Sequence, residues 1–123
     1  MKVFLGSCIT DDRGIIQNII NKTFNHVAMI QSKKGSIRSN HYHLTNSHYM
    51  YVVSGKMEYW ERDVNDSDGN YITVDVCEAG EMVLTGPNVI HKTVFLEDTV
   101  LMTFAANYRG PEFDKDDTIK AEF

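Results

Sequence analysis

Three of the five histidines in this 123-residue chain, His41, His43 and His48, fall within eight positions. Imidazole is the commonest side-chain ligand for Zn, Fe, Ni and Cu, and it exchanges protons near neutral pH. Either chemistry needs several rings converging on one point. His41 and His43 are two apart, so on a strand they project from one face. His48 follows the polar stretch Leu44-Thr45-Asn46-Ser47, which can turn or bulge the chain and return a third ring to that face. His91 comes after the Gly86-Pro87-Asn88 turn at the start of a later strand, and strand pairing can bring it alongside the others. The spacing predicts a shared metal or catalytic site of His41, His43, His48 and His91. His26 stands alone and reads as a surface or core residue.

Charged and aromatic side chains decide what such a site would take. A diphosphate needs at least two cations at the mouth, for which Arg13, Arg38, Arg62 and Lys92 are the candidates, whereas a small oxidisable molecule does not. Tyr49, Tyr51, Tyr59 and Tyr108 are available to supply a proton to a substrate and the sequence does not choose among them, while each also reads as a barrel aromatic with one polar tip. Trp60 reads as a wall residue rather than a sugar-stacking platform. Met29, Met50, Met57, Met82 and Met102 read as core filler.

These residues sit in segments of period two. VAMIQS (27–32), YMYVVSG (49–55), KMEYWERDV (56–64), NYITVDVCE (70–78), EMVLTG (81–86), KTVFLE (92–97) and TVLMTFAAN (99–107) are short and rich in β-branched and aromatic residues. Asp68-Gly69 marks a hairpin between two of them. Ser54-Gly55, Gly80, Gly86-Pro87-Asn88 and Glu97-Asp98 mark further turns. GIIQNIINKTF (14–24) reads as a strand followed by a loop, and the tail (107–123) is expected to pack only through Phe113, Ile119 and Phe123. The pattern predicts an all-β sandwich or barrel, one domain over 1–123.

Composition narrows the function. Apolar content of 42% and charged content of 24% are those of a globular domain. A net charge of −5 argues against a nucleic-acid partner, though local arginines can still hold a phosphate. Cys8 and Cys77 read as two buried free thiols in a reducing compartment. The N-terminus has no signal-peptide pattern and no stretch approaches the ~20 apolar residues of a membrane helix, so the expectation is a cytoplasmic protein with no membrane partner.

The spacing Gly35-x5-His41-x-His43-x4-His48-x6-Gly55 resembles the first cupin motif, G-x5-HxH-x3,4-E-x6-G, with His48 in place of the usual Glu. GEMVLTGPNVIH resembles the second, G-x5-P-x-G-x2-H: Gly80 and His91 keep its separation, the proline is displaced to Pro87, and Asn88 takes the glycine position. The resemblance implies a cupin jelly-roll β-barrel, a divalent metal (Zn, Fe, Ni or Mn) among His41, His43, His48 and His91, and a homodimer. With His48 for Glu the ligand set is all imidazole, which favours an anionic or enolate-like bound group.

DDRG (11–14) and IRSNHYH (37–43), with Ser39 in place of a glycine, are similar to cupins that act on sugar nucleotides. The capsular-polysaccharide type is the nearer likeness, through DDRG, VVSGK and a tail of Phe113, Asp114, Asp117 and Thr118. That implies an epimerase or isomerase with a nucleotide-sugar as the small-molecule substrate. His41 would be the catalytic base, Tyr51 the candidate acid, and Arg38, Arg62 and Lys92 the substrate-binding residues. A metal-ligated His41 could not also act as a free base. The alternatives are a small non-heme metal-dependent dioxygenase and a non-catalytic sugar or small-molecule binding cupin.

Overall fold

A computed structural model describes residues 1–110 and 115–123 of the chain. It contains twelve strands, numbered in chain order, in two five-stranded antiparallel sheets and one hairpin. The first sheet runs β1 (Lys2–Val3), β9 (Met82–Thr85), β6 (His48–Ser54), β11 (Thr99–Ala105), β4 (His26–Ser32). The second runs β12 (Thr118–Lys120), β5 (Ile37–His43), β10 (Val89–Phe95), β7 (Lys56–Asp63), β8 (Thr73–Glu78). Strands β2 (Cys8–Asp11) and β3 (Gly14–Gln17) pair only with each other. Successive strands from β4 to β11 alternate between the sheets except for β7 and β8, which pair in the second sheet across the loop around Asp68. This is a jelly roll, as the cupin likeness implied. Among the described residues, no helix is long and apolar enough to cross a membrane.

Alternation along each strand builds the core. Met50 and Val52 from β6, Val83 from β9 and Leu101 from β11 face Met57 and Tyr59 from β7, Cys77 from β8 and Phe95 from β10. Each such side chain contributes on the order of 1.5–3 kcal/mol by leaving water. Gly55 turns β6 into β7 at φ 99°, and a Cβ there would collide with Thr99 and the Asp98 carbonyl. Only glycine fits.

Several expectations need correcting. Strand β8 starts at Thr73, because Asn70 and Tyr71 donate backbone N–H groups to the Asp66 carboxylate and belong to the turn. Strand β10 starts at Val89, so His91 lies within it rather than ahead of it. The tail does not pack through side chains alone: Thr118–Lys120 form β12 and hydrogen-bond to β5. Phe113 and Asp114 lie outside the described residues. Cys77 is buried, with its thiol pushed up to about 11 mainly by burial, but Cys8 is exposed on the hairpin. Met50, Met57 and Met82 fill space, whereas Met29 is 61% exposed on the outer face of β4.

Candidate active site and metal centre

His41 and His43 lie on β5 and His91 on the adjacent β10, where His91 is the direct register partner of His41. The next residue, Lys92, pairs with Ser39, so Asn40 is an extra residue in a β-bulge. Ser39 (φ 74°) and Asn40 (φ 56°) both adopt left-handed backbone there, and Asn88 (φ 60°) does the same in the turn that leads to His91. Ser39 and Asn88 occupy the two positions where the cupin-like patterns have glycine. Both hold a left-handed backbone conformation of the kind glycine adopts most readily.

His48 opens β6 in the other sheet. His91 comes from the neighbouring paired strand, as strand pairing allowed, and His48 comes from across the barrel. One ligating nitrogen each from His41, His43 and His91 lie within 4.8 Å of one another. The ring centroids are 4.7 Å apart for His41–His43 and His41–His91, and 5.5 Å for His43–His91. His48 stands just outside this triad, 5.4 Å from both His43 and His91.

Contacts behind the rings set their orientation. His91 Nδ1 is 2.9 Å from the Val89 carbonyl oxygen, which assigns the proton to Nδ1 and leaves the Nε2 lone pair turned elsewhere. That buried Nε2, and both ring nitrogens of His48, have no hydrogen-bond partner among the described residues. His43 Nδ1 lies 3.2 Å from the Thr118 hydroxyl and 3.7 Å from the Asp117 carboxylate. Burial, then the neighbouring rings and Arg109, hold His48 well below the ordinary histidine pKa. Burial likewise takes His91 down to about 3, against a bond to Val89 that pulls the other way. Both rings are therefore neutral at pH 7, the state in which imidazole binds a metal or accepts a proton.

Buried nitrogens are normally satisfied, so a cluster with several that are not is built for a further group. Three converging imidazoles with a fourth beside them fit a divalent ion of the Zn, Fe or Ni type, and His43 and His91 each carry the outer hydrogen bond that such ligands use.

The cluster opens on a cavity of about 230 Å³ lined by His41 and His48, by Arg38, Ser39 and Arg109 at the rim, and by Ile30, Met50, Phe95 and Leu101 on the floor. No carboxylate and no tyrosine is among its described lining residues. A larger groove of about 330 Å³ on the outside of the first sheet, between Phe4, Ile20 and Tyr49, contains none of these histidines.

Not every expected residue reaches the cavity. Arg38 does, held by bonds to the Ser32 hydroxyl (2.8 Å) and the Gln31 carbonyl (3.1 Å). Lys92 does not: as the neighbour of inward-facing His91 it points outward, 4.3 Å from the Trp60 ring centre. Arg62 is also outside, donating to the Asp66 and Glu122 carbonyls, and Arg13 is paired with Asp11 on the hairpin. Trp60 packs against Phe123 on the outer wall. Tyr51 does not line the cavity either, since His48, Met50 and Val52 face in and Tyr51, an odd step along β6, faces out. Tyr59 is the tyrosine nearest the cluster, 6.4 Å from His91, but its hydroxyl bonds Thr85 at 2.5 Å and burial raises its pKa strongly. Arg109 was missed. It follows the last long strand in a segment without a motif, and only the folded chain brings it to the rim.

Residues 9–119 match the family model described as "Polysaccharide biosynthesis C-terminal domain". No curated protein matches the sequence. Among solved structures, the capsular polysaccharide assembling protein CapF from Staphylococcus aureus is 28% identical with a TM-score of 0.72, over 98% of this chain and 33% of that one. The present chain thus spans about a third of CapF. QdtA, a sugar 3,4-ketoisomerase from Thermoanaerobacterium thermosaccharolyticum solved with TDP, is 17% identical with a TM-score of 0.73, over 93% of this chain and 82% of that one. ChmJ, a 3'-monoepimerase from Streptomyces bikiniensis solved with dTDP-quinovose, is 16% identical with a TM-score of 0.75, over 89% and 65%. The last two likenesses bear on the fold, which is that of the RmlC-like cupins.

Proposed function

Because the chain belongs to the polysaccharide biosynthesis C-terminal domain family, we propose that its histidine-lined cavity isomerises a nucleotide-linked keto-sugar. The observation that carries this reading is the placement of His41 and His48 in one cavity whose rim holds Arg38 and Arg109 and whose described lining lacks carboxylates. Two guanidinium groups suit the diphosphate of a nucleotide-sugar. A cavity of about 230 Å³ has room for the sugar ring, with the nucleotide outside, and its apolar floor suits a deoxy position.

A carbonyl shift needs a base that takes a proton from the carbon beside the ketone and delivers a proton to the former carbonyl carbon, while the proton of the adjacent hydroxyl passes to the former carbonyl oxygen. His41 is half-buried and faces the cavity, so it serves as that base. Epimerisation would need a second acid on the opposite face. His48 is held neutral and Tyr51 faces away, so one shuttling imidazole, and hence isomerisation, is the better fit. A divalent ion, when bound, would be held by His43 and His91 with His41 or His48 and would polarise the carbonyl. If His41 is the ligand, the base is His48.

A homodimer is part of the proposal. Ile9, Ile15 and Ile16 are exposed on a hairpin that its own barrel leaves uncovered, and a second copy would cover them.

The test is to incubate the protein, metal-free and zinc-loaded, with a TDP-linked 4-keto-6-deoxyhexose and follow carbonyl migration by NMR. Turnover that drops about 1000-fold in His41→Asn agrees with a general base. No migration and no exchange in either form would refute the reading.

A further inference from the structure

Residues 115–123 lie along the edge of β5, the strand that carries His41 and His43, and their contacts converge on the site from behind. Thr118, Ile119 and Lys120 pair with His43, Tyr42 and His41, and the Ala121 N–H donates to the Asn40 carbonyl (3.0 Å). Asp117 precedes them and is 5% exposed. Its carboxylate accepts from the Thr45 N–H (2.8 Å), the Thr45 hydroxyl (2.6 Å) and the Asn46 N–H (3.2 Å), and its backbone carbonyl accepts from the Leu44 N–H (2.9 Å). One residue thereby fixes the turn that sets the distance between His43 and His48. The same residue and Thr118 stand behind His43 Nδ1.

The turn passes this order onward. Asn46, fully buried, accepts from the Asn107 N–H, two residues before the rim arginine Arg109. At its far end the segment is anchored on the outer wall. Phe123 lies 6.0 Å from the Trp60 ring, with Lys92 and Arg62 over its face at 5.3 and 5.7 Å, and Arg62 donates to the Glu122 carbonyl. Trp60, Lys92 and Arg62 thus have a use that is not substrate binding.

We propose that Asp117 and Thr118 are positioning residues for His43, and that docking of the C-terminal segment and binding of a divalent ion at the histidine cluster strengthen each other. The inference rests on the cluster's reading as a metal centre. Its physical basis is that a hydrogen bond to the far nitrogen of a ligating imidazole fixes the ring's tautomer and direction. A segment ordered by that bond must, by linkage, be ordered further when the ligand is engaged.

The experiment uses the full chain and Zn2+ as probe. Zinc affinity is measured by competition with a chromophoric chelator for the unaltered protein, Thr118→Val, Thr118→Ser and Asp117→Asn. Valine keeps the strand's shape and removes the hydroxyl. The expected result is a loss of roughly 10–100-fold for Thr118→Val and Asp117→Asn, with Thr118→Ser near the unaltered protein. In the unaltered protein, which carries no risk of misfolding, zinc should also slow amide exchange at Leu44, Thr45, Asn46 and 118–121.

Unchanged affinity in the folded variants would overturn the positioning role. Exchange at those amides indifferent to zinc would overturn the coupling. If the unaltered protein binds no zinc, the metal reading falls and the coupling with it, whereas zinc binding without any variant effect removes the positioning role and leaves the metal reading standing.

Discussion

In the hairpin β2–β3, Ile9, Ile15 and Ile16 are 57%, 68% and 62% exposed, while at the histidine cluster His43 and His91 are fully buried. Each region inverts the usual rule: apolar side chains in water in one, titratable rings in the core in the other. The causes differ. The rings are held by neighbouring strands, a bulge and the bonds behind His43 and His91, all within this chain. The isoleucines are left more than half exposed by the described residues. The four imidazoles come together within one copy, whereas the hairpin leaves apolar side chains in water, where the proposed second copy would cover them.

Acid should separate the two regions most strongly. Burial depresses His91 to about 3 and His48 well below the unfolded value near 6.5. The unfolded chain takes up protons below pH 6.5 while the folded metal-free chain does not, so their contribution is full above that pH and is lost as pH falls toward 3. From pH 7 to pH 5 this costs roughly 2 kcal/mol for His91, and His48 shifts the balance in the same direction. Urea denaturation at the two pH values checks it, and a double His48→Gln/His91→Gln variant should lose most of the dependence.

The hairpin should respond in the opposite way. Replacing Ile15 and Ile16 together with Asp should weaken self-association by about 100-fold or more, seen by analytical ultracentrifugation. Monomer stability should change little, since exposed substitutions usually shift it by only about 0.5 kcal/mol. A smaller effect is expected at the rim, where Arg109→Ala should raise the KM for the nucleotide-sugar about 10-fold, the value of one lost charged hydrogen bond. Its thermal midpoint should stay in place.

The smallest effect concerns what the sequence could reveal. Strand alternation made most of the barrel legible, because one buried face imposes period two. The motif glycines were legible for a reason the structure supplies: Gly35, Gly55 and Gly80 all have left-handed φ. Ser39 and Asn88 looked like departures, yet they keep the same backbone region. Ser39→Gly should accordingly stabilise the protein by about 1 kcal/mol in thermal denaturation, by relieving left-handed strain.

What stayed hidden was of two kinds. Parity errors were avoidable: Tyr51 is an odd step from His48, and Lys92 from His91, so neither side chain could share their face. Asp117 was out of reach because its bonds to Thr45 and Asn46 span 71 to 72 residues of sequence, and Arg109 because only the folded chain brings it to the cavity, which no local pattern encodes. Asp117 drew notice only through a family likeness, with no role attached.

The most direct test of the proposed chemistry is where deuterium goes when the reaction is run in D2O. One imidazole working between adjacent carbons predicts label at the former carbonyl carbon, C4, of a product whose ketone has moved to C3. Label at C5 with the ketone still at C4 would mean a second proton donor on the opposite face. It would contradict the single-base account built on His41.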